Sequence, residues 1–251
     1  MNKRLMLSLP LLLNPLPGLT DVLGVEVGAG GWAYDISGTA RYKTRDSANN
    51  IDVNQDLGYD DDSLGYLYAV LEHPVPLLPN IRISYANIDS NANGTLRNTV
   101  VYGDIIFPAN ENVRSSVELK QTDVTLYYEV LDNVVSLDLG LNAKYIDSKA
   151  EIRGETSGSE SSDVSGWVPM LYAAVGGDLP FTGLAVNAAG SLIQYQDSKF
   201  YDYSISARYT SPWRVGVDIG YRAIKLDLDD FDDSYADVEF DGPYAGLHLS
   251  F

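Results

Sequence analysis

The feature that most constrains the fold of this chain is a strict alternation of apolar and polar residues over long stretches. In residues 213–223, WRVGVDIGYRA, the odd positions carry Trp, Val, Val, Ile, Tyr and Ala, and the even positions carry Arg, Gly, Asp, Gly and Arg. A period of two is typical of a β-strand whose two faces meet different environments. Similar alternation occurs at 81–86, 122–130, 135–145 and 201–209. We therefore predict an all-β chain.

The links between these strands alternate in length. Short links occupy 73–80, 131–134, 177–182 and 210–212, and longer polar links occupy 44–63, 88–116, 150–165 and 227–237. The link at 196–199 is the exception, because it is short although it falls on the long-loop side. The strands between them are predicted at about 22–43, 64–72, 80–90, 117–130, 135–149, 166–176, 183–195, 200–209, 213–226 and 238–251. An even number of strands, with short turns at one end and longer loops at the other, is typical of an antiparallel up-and-down transmembrane β-barrel. Ten strands are favoured, and eight is the alternative.

A soluble β-sandwich is the main alternative fold. Sandwich strands usually have roughly 5–6 residues, whereas several strands here alternate for ten or more. Aromatic residues also recur eight positions apart, as in Tyr201 with Tyr209 and Trp213 with Tyr221. That spacing corresponds to about 20 Å along a barrel axis, which approaches the roughly 25 Å apolar band of membrane barrels. The barrel is therefore the preferred fold.

The first strand contains a break in its pattern. Up to Ala29 the apolar residues occupy odd positions, but after the Gly-Gly pair at 30–31 they occupy even positions, at Trp32, Tyr34 and Ile36. One extra residue in a strand reverses the direction of every later side chain. We therefore predict a β-bulge at the Gly-Gly pair.

The first twenty residues differ from the rest. They combine Lys3 and Arg4 with an apolar run at 5–13, which is typical of a secretory signal peptide. We predict a signal peptide at 1–20 and the barrel at 21–251. Because no later segment approaches 18 continuous apolar residues, no transmembrane helix is predicted.

Composition excludes several functions. The chain has no cysteine, which rules out disulfides, cysteine-bound zinc and a cysteine nucleophile. It has only two histidines, so a His-rich metal site is not expected. Its net charge of −18 argues against nucleic acid as a partner, which requires a basic surface. No cofactor or metal is predicted.

If the apolar face meets lipid, the polar face lines the lumen. The charged residues predicted there are Glu26, Arg82, Asp123, Glu129, Asp138, Lys144, Asp202, Arg208, Arg214, Asp218 and Arg222. Six acids and five bases nearly balance, and buried charges must pair. A salt-bridged plug is therefore favoured, with a narrow polar conduit as the alternative. Lumen glycines at 28, 140, 216 and 220 leave room for long side chains or water.

Two features invite a chemical interpretation. His248 and Ser250 have the His-x-Ser spacing of barrels that deacylate lipid A, but both are predicted to face the lumen near the periplasm, far from the outer leaflet. The acidic runs at 56–63 and 226–241 carry carboxylates of the kind that bind Ca²⁺. Without EF-hand spacing, a solvated rim is favoured, and divalent ions shared with lipopolysaccharide are a second hypothesis. No catalysis is predicted.

The last strand carries the most specific pattern. Its alternate apolar residues are Ala245, Leu247, Leu249 and Phe251. This ending resembles the C-terminal strand of Gram-negative outer-membrane β-barrel proteins, although position 249 is often aromatic in that family. The resemblance covers 21–251. The stretch GVEVGAGGWAYDISG at 24–38 resembles an uncharacterised class of small outer-membrane proteins with Gly-Gly near the mature N-terminus. The architecture is more distantly similar to OmpW and OmpX.

This resemblance implies a monomer in the bacterial outer membrane, in contact with outer-membrane lipid and lipopolysaccharide. It also implies that the barrel-assembly machinery reads the C-terminal strand. It assigns no activity. The predicted function is a structural barrel or a passive passage for small solutes. The alternative is surface binding or adhesion through 44–63, 88–116 and 150–165.

Overall fold

A computed structural model describes residues 23–75, 77–231 and 233–251. The predicted signal peptide at 1–20 lies outside these residues. Ten long strands are labelled β1 to β10 in chain order. They are β1 Gly24–Tyr42, β2 Asp62–Glu72, β3 Asn80–Thr95, β4 Asn112–Asp132, β5 Val135–Gly154, β6 Gly158–Leu179, β7 Leu184–Tyr195, β8 Ser198–Thr210, β9 Val215–Phe231 and β10 Ser234–Ser250. Within the described residues, no helix has the length and apolar character needed to cross a membrane.

The sheet closes on itself. Each strand pairs antiparallel with the next, and β1 also pairs with β10, from Glu26 opposite Ser250 to Tyr42 opposite Ser234. Closure removes the sheet edges on which backbone groups would otherwise stay unpaired. The predicted all-β, antiparallel up-and-down barrel of ten strands is confirmed.

The predicted bulge at the Gly-Gly pair is wrong. The register between β1 and β2 continues through 30–31 without a shift, up to Trp32 opposite Leu64. Even-numbered residues of β1 therefore face the interior throughout. What changes along the strand is the interior itself, which is polar around Glu26 and apolar around Trp32 and Tyr34, both buried.

Two regions of the barrel follow from this change. The lower barrel extends from the short turns up to Tyr85 on β3, Thr122 on β4 and Tyr145 on β5, three residues that share one register line. The upper barrel extends from that line to the long-loop end. On β5 the outward apolar segment of the lower barrel runs from Val135 to Tyr145, which corresponds to about 25 Å along the axis.

The exterior of the lower barrel is apolar. Its exposed outward side chains include Leu126, Leu139, Leu141, Leu171, Val175, Val186, Ile205, Val217, Ile219, Leu247 and Leu249. In the upper barrel the polarity is reversed. The outward residues of upper β4 and β5 are Arg114, Ser116, Glu118, Lys120, Asp147, Lys149, Glu151 and Arg153, while buried inward residues include Trp32, Tyr34, Ile36, Ile88, Val113, Ile152, Ile224 and Phe240.

The strands extend further at the long-loop end than the sequence predicted. The predicted link at 150–165 is mostly strand, and the turn between β5 and β6 is only 155–157. Strand β9 likewise continues to Phe231. The extension is favoured because the upper interior is apolar, so that continued strand pairing keeps these inward residues packed.

Candidate functional site in the barrel lumen

The upper end of the lumen is closed by a cap, formed by residues 43–61 and 96–111. The first segment contains a single 3-10 turn, and the second contains a hairpin of Val100–Tyr102 and Ile105–Phe107. Buried side chains of the cap are Ile51, Val53, Leu57, Tyr59, Leu96, Val100, Tyr102 and Phe107. They form one apolar cluster with the inward residues of the upper barrel, so the upper lumen is filled by side chains.

Polar contacts hold the two cap segments together. The guanidinium of Arg97 binds the carboxylate of Asp56, with 2.7 Å between Nε and Oδ1. Burial of Asp56 favours its neutral form, but the hydrogen bonds from Arg97 outweigh this and lower the pKa of Asp56. The backbone N–H of Val101 also donates to Asn49 Oδ1 at 2.8 Å.

Glu111 ties the cap to the turn between β5 and β6. Its Oε2 accepts from the Ser157 hydroxyl at 2.7 Å, and its Oε1 accepts from the N–H of Thr156 at 2.7 Å and of Ser157 at 2.9 Å. The Ser157 hydroxyl, together with these backbone donors, lowers the pKa of Glu111 to about 2. The contact therefore persists in mild acid.

A layer of charges lies directly below the apolar cluster. The ammonium of Lys144 has no solvent exposure and lies 2.8 Å from Asp123 Oδ1 and 2.9 Å from Asp202 Oδ2. Asp202 also binds Arg222, with 2.7 Å between Oδ2 and Nη2. This arrangement ties β4 and β5 to β8 and β9 across the lumen.

A second charged cluster lies nearer the short turns. Arg208 binds Glu26 at 2.9 Å and Asp218 at 2.7 Å. The Tyr68 hydroxyl donates to Glu26 at 2.9 Å, and His248 Nδ1 lies 2.8 Å from Asp218 Oδ2. Because Glu26 is on β1 and Arg208 is on β8, this cluster also links distant strands.

The predicted lumen residues fall into three groups. Seven of them form the two clusters, namely Glu26, Asp123, Lys144, Asp202, Arg208, Asp218 and Arg222. Arg82, Glu129 and Asp138 line a cavity below the clusters. The placement of Arg214 in the lumen is wrong. It lies exposed in the turn before β9, with a φ of 63°, because that strand begins one residue later, at Val215.

The lower lumen is a cavity of about 530 Å³ that opens between the short turns. The inward aromatic residues of its lining are Trp32, Tyr66, Tyr68, Tyr127, Tyr172 and Tyr244. These residues were not among the predicted lumen residues, because that prediction listed only charged side chains. Their position parity was the available signal, since Tyr127 shares its strand face with Asp123.

Two glycines show how the lumen accommodates its large side chains. A Cβ on Gly28 would meet the ring of Tyr68, and a Cβ on Gly216 would meet the imidazole of His248. At each of these two positions, the absence of a side chain on glycine leaves space for a ring side chain from the neighbouring strand.

His248 also contacts a hydroxyl group. Its Nε2 lies 2.9 Å from Thr210 Oγ1, while its Nδ1 binds Asp218. This order of nucleophile, base and orienting acid is known from hydrolases. However, the backbone amides of Thr210 and Ser211 both donate to carbonyls of neighbouring strands and turns, so neither is free to stabilise an oxyanion. The geometry is that of a hydrogen-bonded lumen histidine.

The outward residues of the C-terminal strand are Ala245, Leu247, Leu249 and Phe251, all of them exposed. Ser250 faces inward and donates to Glu26 at 3.1 Å. The N–H of Phe251 donates to the carbonyl of Val25 at 2.8 Å, so backbone pairing with β1 continues to the last residue.

The acidic runs lie at the long-loop end. Asp237, in the run at 226–241, binds Lys225 at 3.3 Å. Asp56, in the run at 56–63, binds Arg97. Across the parts of the chain that the structure describes, no group of three or more His, Asp or Glu residues is arranged to hold a metal ion.

No protein-family model matches the sequence, and a search of curated proteins found no match. Among solved structures, the chain is similar to the transport unit of the autotransporter AIDA-I from Escherichia coli, with 10% identity, a TM-score of 0.43, and coverage of 96% of this chain and 94% of that chain. It is also similar to the outer membrane protease OmpT from Escherichia coli, with 12% identity, a TM-score of 0.49, and coverage of 90% and 97%. The translocator domain of the autotransporter NalP from Neisseria meningitidis is similar as well, with 11% identity, a TM-score of 0.44, and coverage of 93% of this chain and 91% of that chain. At these TM-scores the likenesses carry no functional argument, and the barrel assignment rests on the strand pairing of this chain.

Proposed function

We propose that this chain is an integral, monomeric β-barrel of the bacterial outer membrane, surrounded by outer-membrane lipid and lipopolysaccharide. The support is the polarity of the exterior, which is apolar over the lower barrel and charged above it. The height of the apolar band, about 25 Å, suits a bilayer core. In the lower barrel, closed strand pairing also satisfies the backbone groups on both sides of each strand, which lipid requires.

We further propose that the barrel is structural, with a closed lumen and no catalytic role. The observation that carries this proposal is the apolar cluster of the upper barrel and cap, from Trp32 to Phe107, lying above the Lys144 charge layer. Passage of a solute requires both layers to move. The closed form of the predicted lumen is favoured, although packed apolar side chains contribute as much to it as the predicted salt bridges.

Membrane insertion is tested by cell fractionation. The full chain, produced in a Gram-negative host, is expected in the outer-membrane fraction and to resist extraction by alkaline carbonate and urea. Limited proteolysis of intact cells should cut only the cap and upper turns. Recovery in the carbonate supernatant would contradict the proposal.

The closed lumen is tested by planar-bilayer recording. The purified barrel is expected to give no discrete conductance steps, while a general porin reconstituted in the same lipid serves as the positive control. Reproducible unitary steps at low voltage would overturn the structural function and favour passive passage of small solutes.

We also propose that the outward residues of β10, ending at Phe251, form the signal read by the barrel-assembly machinery. Deletion of Phe251 is expected to lower the amount of barrel in the outer membrane several-fold, while the unfolding midpoint of the refolded protein changes little. Ser250→Ala, on the inward face of the same strand, is the matched control. Normal outer-membrane levels after deletion of Phe251 would contradict this role.

Surface binding is a second candidate function. It is favoured by the cap hairpin, whose second strand exposes Ile106 at 64% of its surface, and by the charged exterior of the upper barrel. Purified barrel is expected to bind lipopolysaccharide vesicles, and a variant with 100–107 replaced by a Gly-Ser linker is expected to bind less. Equal binding by the two proteins would count against the cap as a binding surface.

A further inference from the structure

The lower cavity has the size of a small-molecule site. Its volume of about 530 Å³ lies within the roughly 300–1,000 Å³ typical of ligand pockets. Its deep end is formed by Trp32 and Arg222, and its mouth by residues next to the short turns, such as Ser136 and Asp178. The two charged clusters do not fill it.

Arg82 lines this cavity with an unsatisfied guanidinium. Its Cζ lies 4.3 Å from the centroid of the Tyr68 ring, a stacked contact that leaves the N–H edge of the group unused. Lys144, Arg208 and Arg222 each bind carboxylates, but Arg82 forms no ion pair with any residue that the structure describes. A half-buried guanidinium with free donors is suited to a carboxylate, which it can bind through two parallel hydrogen bonds.

The mouth of the cavity has the opposite charge. Its carboxylates are Glu72, Glu129, Asp132, Asp138 and Asp178. Within the described ranges, none of the five is paired with a basic side chain. Tyr127 and Tyr172 stand beside them, with ring centroids 6.0 Å apart, and the Tyr127 hydroxyl donates to Glu72 at 2.9 Å. Aromatic faces next to carboxylates favour an ammonium group.

The strand register sets the separation between these charges. Arg82 lies opposite Thr125, which lies opposite Asn142 on β5. Asp138 is four residues nearer the short turns than Asn142, which corresponds to about 13 Å along the strand direction. Among the residues that the structure describes, the cavity therefore has one unpaired cation, Arg82, at depth, where the other charges are paired, and unpaired carboxylates at its mouth, over the length of a small molecule.

We propose that this cavity binds a small zwitterion, an amino carboxylate whose carboxylate contacts Arg82 and whose ammonium group lies among the carboxylates of the mouth. The ligand enters from the short-turn end. This site goes beyond the membrane function proposed above, and it is accessible in the purified barrel in detergent whether or not the lumen conducts.

Isothermal titration calorimetry with 6-aminohexanoate tests the site, with each titration corrected by a blank into detergent alone. Binding is expected for 6-aminohexanoate and at least tenfold weaker for hexylamine and hexanoate, which carry one charge each. Arg82→Met is expected to weaken binding at least tenfold, with partial recovery in Arg82→Lys. Asp138→Asn should also weaken binding, because it removes a charge from the mouth.

Arg41→Met is the matched control, because Arg41 also stacks on a tyrosine, Tyr235, at 4.0 Å but lies in the upper barrel. The Arg41→Met variant is expected to bind 6-aminohexanoate with the same affinity as the unmodified barrel. Folding of each variant is checked by circular dichroism, and Asp138→Asn keeps the test decisive if Arg82→Met does not fold. Three results would each overturn the proposal: no heat from 6-aminohexanoate, equal affinity for the singly charged analogues, or unchanged affinity in both cavity variants.

Discussion

The lower and upper barrel consist of the same ten strands but have opposite polarity. On β5, Leu139 and Leu141 face outward in the lower barrel, and Lys149 does so in the upper barrel. The inward side chains change in the other direction, from charged to apolar: Lys144 is fully buried in the lower barrel and Ile152 is buried in the upper barrel. A single strand with a constant period of two therefore serves both regions.

Under the proposed membrane location, this difference means that the medium outside determines what the interior must be. Where the exterior is suited to lipid, the lumen holds the polar residues, and those of the two charged clusters are satisfied by ion pairs such as Arg208 with Glu26. Where the exterior is suited to water, the interior is apolar and is held by packing. The lower lumen consequently keeps a cavity, whereas the upper lumen is filled.

The largest expected effect concerns the charge layer. Lys144→Met should lower the free energy of unfolding by about 3–5 kcal/mol, because it removes the partner of two buried carboxylates. Urea unfolding in lipid vesicles measures this loss. Lys149→Met, at an exposed position of the same strand, is the control and should change little. Equal stability of the two variants would mean that packing, not charge pairing, holds the lower barrel.

The exterior gives the second effect. Leu141→Arg places a charge in the middle of the apolar band, where Leu141 is 62% exposed, and should cost about 2–4 kcal/mol in a bilayer. Ser161→Arg makes the same change on the outward face of upper β6 and should be nearly neutral. If unfolding in vesicles shows a similar loss of free energy at both positions, the proposed boundary between lipid and water is contradicted.

A smaller effect tests the packing of the upper interior. Ile88→Val should cost about 0.5–1.5 kcal/mol, because Ile88 is buried in the apolar cluster. Ile83→Val on the same strand removes the same methylene from an outward position that is 48% exposed. It should leave the unfolding midpoint unchanged, and a matching loss at Ile83 would contradict the difference between the regions.

The smallest effect is a pH dependence of the cap. Because the pKa of Glu111 is lowered to about 2 from its ordinary 4.5, its contribution to stability is complete above pH 4.5 and is lost as the pH falls through 2. The stability difference between the unmodified chain and Glu111→Gln should therefore shrink only below pH 4.5. A difference that is constant down to pH 2 would show that the carboxylate contributes no charge-dependent contact.

Much of the fold was predictable because strand periodicity is local. Alternation identified the ten strands and the lumen face of Asp123 and Lys144. The upper strand ends and the register at the Gly-Gly pair were not predicted, because each strand was expected to have one apolar outward face over its whole length. A change from polar to apolar residues on one face was interpreted as a shift in register. After Tyr145 the outward residues of β5 change from apolar to charged, which fits the edge of the membrane segment proposed above.

The sequence by itself favoured ten strands and, outside β1, predicted which side chains share a face, since both depend on a backbone repeat of two residues. Only the tertiary structure decided which charges meet, because ring closure and stagger bring together residues as distant as Glu26 and Arg208, 182 positions apart. It also decided that 43–61 and 96–111 fold inward as a cap. Apolar residues in a polar link become buried only when the barrel provides an apolar interior to receive them.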